Sequence, residues 1–422
     1  MSYQLRTTMF VVLATLYGSS VMAGGLEAID LPPKSQVEDA LDSNLLVLNA
    51  NSGLKLEQAN QRKWNSGNYE FNLRAGTSQR HIVNAGQKLK EWDVALERPL
   101  RLPNKVGIDT DIGAASVARA DYALGDAYHE AGRLLLRSWF VWLREQAQVR
   151  VWQHQVDIYT QQAEMVEKRV QAGDAPKLEL NIARAAVAQA NVSLQQASLR
   201  AQMAGNDLQR QFPAIVLPSE VAIQTPQAIT ESYEVWQARI LDDNHELGMV
   251  QAQAKVQELM AARSRADQVP DPTVGLRYAN EMGGNEKVTG IFLTVPFSFG
   301  QRSATAQGVQ QQADIANDQA KFVQHRLQTD IYAAYQQAVR SYATYQQAHD
   351  AALAIATNSE LIAKAYRLGE SSLSDSLSAR RIAQEATLSE ELAQLDANES
   401  RYRLELDAHR LWVREEGVSE SN

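Results

Sequence analysis

Four stretches of the chain alternate apolar and polar residues with the period of two that marks a two-faced strand. Tyr69, Phe71, Leu73 and Ala75 share one face, against Glu70, Asn72 and Arg74 on the other. Trp92, Val94 and Leu96 oppose Glu91, Asp93, Ala95 and Glu97. Val274, Leu276 and Tyr278 oppose Thr273, Gly275 and Arg277, and Ile291, Leu293 and Val295 oppose Phe292, Thr294 and Pro296. After each pair the period lengthens. Apolar or small residues step by three and four through Val117, Ala120, Leu124, Ala127, Ala131, Leu134, Ser138 and Val141. They resume as Val149, Trp152, Val156, Tyr159, Ala163, Val166 and Val170, and again as Ala348, Ala352, Ile355, Ser359, Ile362 and Tyr366. This is heptad spacing, the mark of coiled-coil packing. Helices over 105–171 and 302–368 follow, each about 100 Å long at 1.5 Å per residue.

The pattern occurs twice. Lys90, Leu96, Pro99 and Lys105 match Lys287, Leu293, Pro296 and Arg302 at one constant offset. Leu41-Asp42-Ser43-Asn44 recurs as Leu241-Asp242-Asp243-Asn244, opening amphipathic segments over about 36–65 and 231–267. Gly173, Glu179, Ala183 and Arg184 match Gly369, Asp375, Ala379 and Arg380. Nearly constant offsets at separate places define an internal repeat. Each half reads helix, strand, strand, long helix, glycine break, shorter helix. The first repeat covers 24–212, with a β-hairpin at 68–102, the long helix 105–171 and a return helix 174–212. A proline-rich connector spans 213–230. The second repeat covers 231–416, with a hairpin at 272–299, the long helix 302–368 and a return helix 371–416. Residues 417–422 read as a disordered acidic tail.

Composition narrows the chemistry. The chain has 422 residues, a net charge of −9 and no cysteine, with 45% apolar residues. That is enough for a large core and a poor match to nucleic acid. Disulfides, thiolate metal sites and a lipid anchor on an N-terminal cysteine are not expected. Arg6, the apolar run Met9–Leu16 and the small residues of Val21-Met22-Ala23 read as an export signal cleaved before Gly24, so that 1–23 is a signal peptide. No stretch of about 18 apolar residues follows, so no transmembrane helix is expected. The strands by themselves fit either a small soluble sheet on a core or a membrane sheet with lipid on one side and a lumen on the other. Export and the placement of Tyr and Trp favour the membrane, with Tyr69, Phe71, Trp92, Tyr278, Ile291 and Leu293 as anchors. Barrels need about eight strands or more, so copies of the chain must share one.

The turns Ala172-Gly173-Asp174-Ala175-Pro176 and Leu368-Gly369-Glu370-Ser371-Ser372 end the two long helices, glycine stopping each in the left-handed conformation. Helix-strand-strand-helix twice, with glycine turns in RVQAGDAPKLELNIAR and AYRLGESSLSDSLSAR and the junction LTVPFSFGQR, resembles the TolC-type outer-membrane efflux family over about 36–415. PDPTVGLRY is similar to members serving heavy-metal efflux. The resemblance implies a mainly α fold with a small membrane β-barrel. Long antiparallel coiled-coil helices would form an α-barrel, and four strands per chain would join a shared twelve-strand barrel in a homotrimer. It implies an outer-membrane location and two partners, a periplasmic adaptor and an inner-membrane pump of the resistance-nodulation-division type. It implies adaptor contact at Ala172, Gly173, Asp174, Leu368, Gly369, Glu370 and Ser371. The family's acidic constriction falls on Asp375; its second position is Ser378 here, a departure that Glu179 could offset. Opening would shift the return helices against the long ones.

An enzyme is not expected. His81, His129, His154, His245, His325, His349 and His409 show no ligand spacing, and there is no nucleophile signature or phosphate loop. No catalytic residue, metal or cofactor is anticipated. Two other readings stand: the outlet of a type I protein secretion system, and a periplasmic coiled-coil scaffold, which leaves the strands without a purpose.

Overall fold

A computed structural model describes residues 28–67, 69–298 and 300–412. The expected signal peptide and the 417–422 tail lie outside the described residues. The elements run α1 (Lys34–Asp42), α2 (Leu45–Ser66), β1 (Asn72–Ile82), β2 (Gln87–Pro99), α3 (Pro103–Gln171), α4 (Lys177–Gln211), α5 (Tyr233–Asp242), α6 (His245–Ala266), β3 (Thr273–Glu281), β4 (Glu286–Thr294), α7 (Gln301–Arg367) and α8 (Leu373–Asp407). The chain is mainly α, with a small antiparallel sheet at one end of two very long helices. No described helix is long and apolar enough to cross a membrane.

The first helical segment of each repeat is two helices, not one. The motif expected to open it is the break inside it. Asn44 caps α2 by accepting a hydrogen bond from the Leu46 amide at 2.9 Å, and Asn244 caps α6 by accepting one from Leu247 at 2.8 Å. A side-chain acceptor at this position satisfies an amide the helix leaves open, so the helix starts afresh there. The strands are shorter than the predicted hairpins, and Tyr69 and Phe71 precede β1.

α3 holds 69 residues and α7 holds 67, so each rises about 100 Å. In the half below the sheet, helices neighbour one another in the order α2–α3–α6–α7; toward the far end the order is α4–α3–α8–α7. The sheet order is β1–β2–β3–β4. The largest core lies midway along α3, where Leu135, Leu136, Trp139, Phe140, Trp142 and Leu143 pack against α1, the end of α8 and Phe212 and Ile215 of the connector. The connector is irregular but anchored. Asp30 is buried and accepts hydrogen bonds from Tyr402 Oη (2.7 Å), Asn398 Nδ2 (2.8 Å) and the Gln224 amide (3.3 Å).

The α3 seam holds in part: Ala120, Leu124, Ala131, Tyr159 and Val166 are buried as expected. Leu134 and Val141 are exposed, and Val149, Trp152 and Val156 lie on the flank. The buried line runs through Ala147, Val151, Gln155, Tyr159, Gln162 and Val166. α3 packs against α4 on one side and α8 on the other, so its buried stripe is wide and includes two glutamines that a hydrophobic pattern passes over. On α7 the expected seam largely holds, with Ala352, Ser359 and Tyr366 buried.

Candidate functional site

Strand register sorts the sheet into two faces. Leu73 pairs with Leu96, Leu96 with Leu276 and Leu276 with Ile291, forming one apolar row across all four strands. The row toward the helices joins Arg98, Val274 and Leu293; the next row outward joins Ala75, Val94, Tyr278 and Thr289. This face is open: Leu73 is 72% exposed, Ile291 79% and Leu293 64%. From Leu100 to Trp92 it extends about 26 Å along β2 and its approach, comparable with the apolar band of barrels that span an outer membrane. The Trp92 and Tyr278 rings lie 5.7 Å apart near its outer limit. Phe71 is exposed at its inner limit, with the Arg98 guanidinium over its ring at 4.8 Å. Tyr69 differs from the rest. It sits half-buried at the junction with the helices, its hydroxyl donating to Asp271 Oδ2 at 3.0 Å and Arg101 over its ring.

The opposite face carries Arg74, Arg80, Glu91, Asp93, Glu97, Arg277, Glu281 and Glu286. Arg80 bridges Glu91 (2.5 Å) and Glu281 (3.2 Å), and Arg277 reaches Asp93 (3.7 Å). One face of the sheet is thus ion-paired, and the other is apolar and open.

The junction below the sheet is tightly built. Lys105 is fully buried; its ammonium donates to the Val269 carbonyl (2.8 Å) and meets Asp267 (2.9 Å) and Asp271 (3.0 Å). Its repeat partner Arg302 donates to the Asp267 carbonyl at 2.8 Å. The two basic residues of the duplicated motif converge on one short segment, and thereby hold both repeats under the sheet. Their matching positions were legible in sequence; the shared target was not, because it lies outside the motif.

At the far end both long helices finish identically. The Gly173 amide donates to the Val170 carbonyl (3.1 Å) and Asp174 to Arg169 (2.8 Å); Gly369 donates to Tyr366 (3.1 Å) and Glu370 to Ala365 (2.9 Å). These are paired Schellman closures, and the glycines take φ of +84° and +81°. Ala172, Gly173, Asp174, Leu368, Gly369 and Glu370 are exposed, with Ser371 half-buried. The two turns belong to one tip: Val166, Ala183, Tyr366 and Leu373 form a common small core. Arg169 donates to the Tyr366 hydroxyl (2.9 Å), which donates to Glu179 Oε2 (3.1 Å). Glu179 is thereby held within the tip.

Asp375 and Ser378 are exposed and line, with Ser371, Asn358, Ile355 and Ile382, a groove of about 430 Å³ between α7 and α8. Asp375 also starts α8. Its carboxylate accepts from Ser372 Oγ (2.7 Å) and the Ser372 amide (3.3 Å), while its own amide donates to Ser372 Oγ (3.1 Å), a capping box. The Ser372 hydroxyl, then the backbone, hold its carboxyl below the ordinary value, so it stays charged.

Three histidines that show no ligand spacing in sequence meet in the fold. His129 on α3, His245 at the start of α6 and His409 just after α8 come together, with one ring nitrogen from each lying within 4.8 Å of the others. They stand far apart in sequence, so spacing could not reveal them.

No protein-family model matches the chain, and no curated protein matches it by sequence. Solved structures do. The chain is similar to the Campylobacter jejuni CmeC outer membrane channel, with a TM-score of 0.76 at 13% identity, covering 98% of this chain and 94% of that one. It is similar to the outer membrane protein VceC of Vibrio cholerae (TM-score 0.70, 15% identity, 90% and 95% covered). The open state of the Neisseria gonorrhoeae MtrE outer membrane channel gives a TM-score of 0.57 at 14% identity, with 90% and 89% covered. The chain has the fold of these outer-membrane proteins.

Proposed function

We propose that the chain is one protomer of a trimeric outer-membrane duct. It passively conducts small molecules or metal ions handed over by an inner-membrane pump of the resistance-nodulation-division type and a periplasmic adaptor. One observation carries the reading: the molecule is open along the same two edges at every level. β1, α2 and α4 form one edge; β4 and α7 form the other. Both edges are apolar where they should be wet. Leu56, Leu178, Val192, Leu199 and Met203 are exposed on the first, and Ile315, Phe322, Tyr332, Leu353 and Leu361 on the second. An open sheet edge is not viable in hydrocarbon, because its amides and carbonyls have no partner there. Contact between two unlike edges is head-to-tail and closes into a ring when the rotation permits. Three copies would supply the twelve strands of one barrel, with lipid on the Leu96–Ile291 side and water on the Arg277–Asp93 side, and a helical tunnel below it.

The duct breaks no bond. Its chemistry is electrostatic: three Asp375 carboxylates brought near the axis would favour cations and resist dry closure. The exposed turns around Gly173 and Gly369 are the surface for the adaptor. Purified protein in detergent should have the mass of three chains by light scattering and should form steady conductances in planar bilayers. A monodisperse single chain that leaves bilayers silent would refute the reading.

A further inference from the structure

We propose that His129, His245 and His409 form a binding site for one divalent transition cation of the zinc class, a structural staple between the two repeats. The proposal rests on ring geometry and does not depend on the duct reading. The three ring centroids stand 4.2, 5.1 and 5.2 Å apart, brought together from three separate segments. His129 Nε2 and His409 Nε2 approach to 2.5 Å. Two imidazoles in such contact can share only one proton. A cation at about 2.0–2.1 Å from each nitrogen would set them about 3.3 Å apart, so a small outward turn of the rings makes room for it.

The surroundings are built for these rings. Gly125 faces His245 so closely that a Cβ there would meet the ring at 2.7 Å; any larger residue would push His245 out of the cluster. His409 holds a φ of +55°, the left-handed position closing α8, with its amide donating to Leu406 (3.0 Å) and Arg410 to Glu405 (2.8 Å). Glycine fills the equivalent position at both tips, and a side chain there is strained. His409 Nδ1 is buried with no partner. Nearby charges compensate one another: Asp407 accepts from both Arg133 (2.8 Å) and Arg403 (2.8 Å), and Glu130 pairs with Arg133. Three imidazoles and no thiolate suit zinc, copper or nickel over calcium or magnesium. A bound water would complete a tetrahedron. The cation would join α3 of the first repeat to α6 and the end of α8 in the second.

The test uses the full chain in detergent, with any histidine tag removed. Co²⁺ is titrated as the visible probe, and Zn²⁺ is then measured by competition with a chromogenic chelator. We expect one Co²⁺ per chain with the intense visible band of a tetrahedral site, its displacement by Zn²⁺, and at least tenfold weaker binding in His245→Gln and in His409→Gln. Far-ultraviolet circular dichroism confirms that the variants fold; if one does not, the wild-type titration still decides. Absence of saturable one-per-chain uptake in the wild type would overturn the proposal. So would uptake unchanged in His129→Gln, His245→Gln and His409→Gln.

Discussion

Replacing Lys105 by Met tests whether the junction below the sheet is held by a buried cation. Met keeps most of the stem volume and removes the ammonium. The lost contacts are the Val269 carbonyl, Asp267 and Asp271, all within 3.0 Å of a nitrogen with no exposure. Removing one member of a buried ion pair costs about 3–5 kcal/mol, because the partner charge stays behind. Here the cost should fall at the low end, about 3 kcal/mol. Asp271 is 18% exposed and Asp267 is 42% exposed and still paired with Arg263, so water and that guanidinium recover part of the loss. At 1.4 kcal/mol per factor of ten this is about a hundredfold. Amide hydrogen exchange read by mass spectrometry should show it in peptides covering 99–106 and 267–273, which share the bond from the Leu102 amide to Asp271 Oδ1 (3.1 Å). Acid should reveal it too. Burial raises the Asp267 carboxyl, but the bonds from Arg263 and Lys105 outweigh burial and hold it low. A lowered carboxyl stabilises the fold above its unfolded value, and that stability is lost as pH falls through the folded one. Without Lys105 the loss should begin at a higher pH. Exchange within twofold of wild type, and an unmoved acid transition, would refute the reasoning.

Three further outcomes are expected. Ser372→Ala removes the capping box of α8 and should destabilise the tip by about 1 kcal/mol, seen as faster exchange confined to residues 368–376. Asp375→Asn should reduce cation preference in planar bilayers, read as a reversal potential under a salt gradient closer to zero; an unchanged potential would reject the acidic ring. Ile291→Arg places a charge on the bare apolar face and should cost about 2–4 kcal/mol in urea titrations of refolding into vesicles if that face meets lipid midplane. A value near zero would mean that water covers it.

Elements governed by local periodicity could be read from the chain. The strand faces at Leu96 and Leu276, the glycine stops at Gly173 and Gly369 and the long helices each need only neighbours a few residues away to declare themselves. The features that escaped reading depend on distant partners. Asn44 does open a helix, but that the segment before it is a separate helix, α1, shows only in the fold. The α3 seam is buried at Ala120, Leu124, Ala131, Tyr159 and Val166 as its spacing predicts, but Gln155 and Gln162 join it because helices pack on two sides. Tyr69 alternated correctly with Phe71 and Leu73 but was claimed by Asp271, about two hundred residues on. His129, His245 and His409 meet only because the duplication folds α3 against α6 and α8.

In the proposed ring, the duplication predicts which contacts between chains would be equivalent to contacts within one. Inside the chain the first repeat meets the second through β2 with β3, α3 with α6 and α3 with α8. Carrying each element to its counterpart turns these into β4 with β1, α7 with α2 and α7 with α4 of the next copy, and those are the elements left on the two edges. A ring of repeats would then use one kind of contact throughout, alternately within and between chains. The offset that carries Gly173 to Gly369 makes this concrete. Arg150 of α3 meets Glu391 of α8 at 3.1 Å. Their counterparts are Gln346 on α7 and Gln195 on α4, both exposed on opposite edges. The chain has no cysteine, so Gln195→Cys with Gln346→Cys introduces the only thiols. A short bismaleimide should link copies into a ladder that ends at three chains on denaturing gels, while either single variant should give no ladder. Unlinked doubly substituted protein, in membranes where the duct still conducts, would mean that the copies meet through some contact other than the one the repeat already makes with itself.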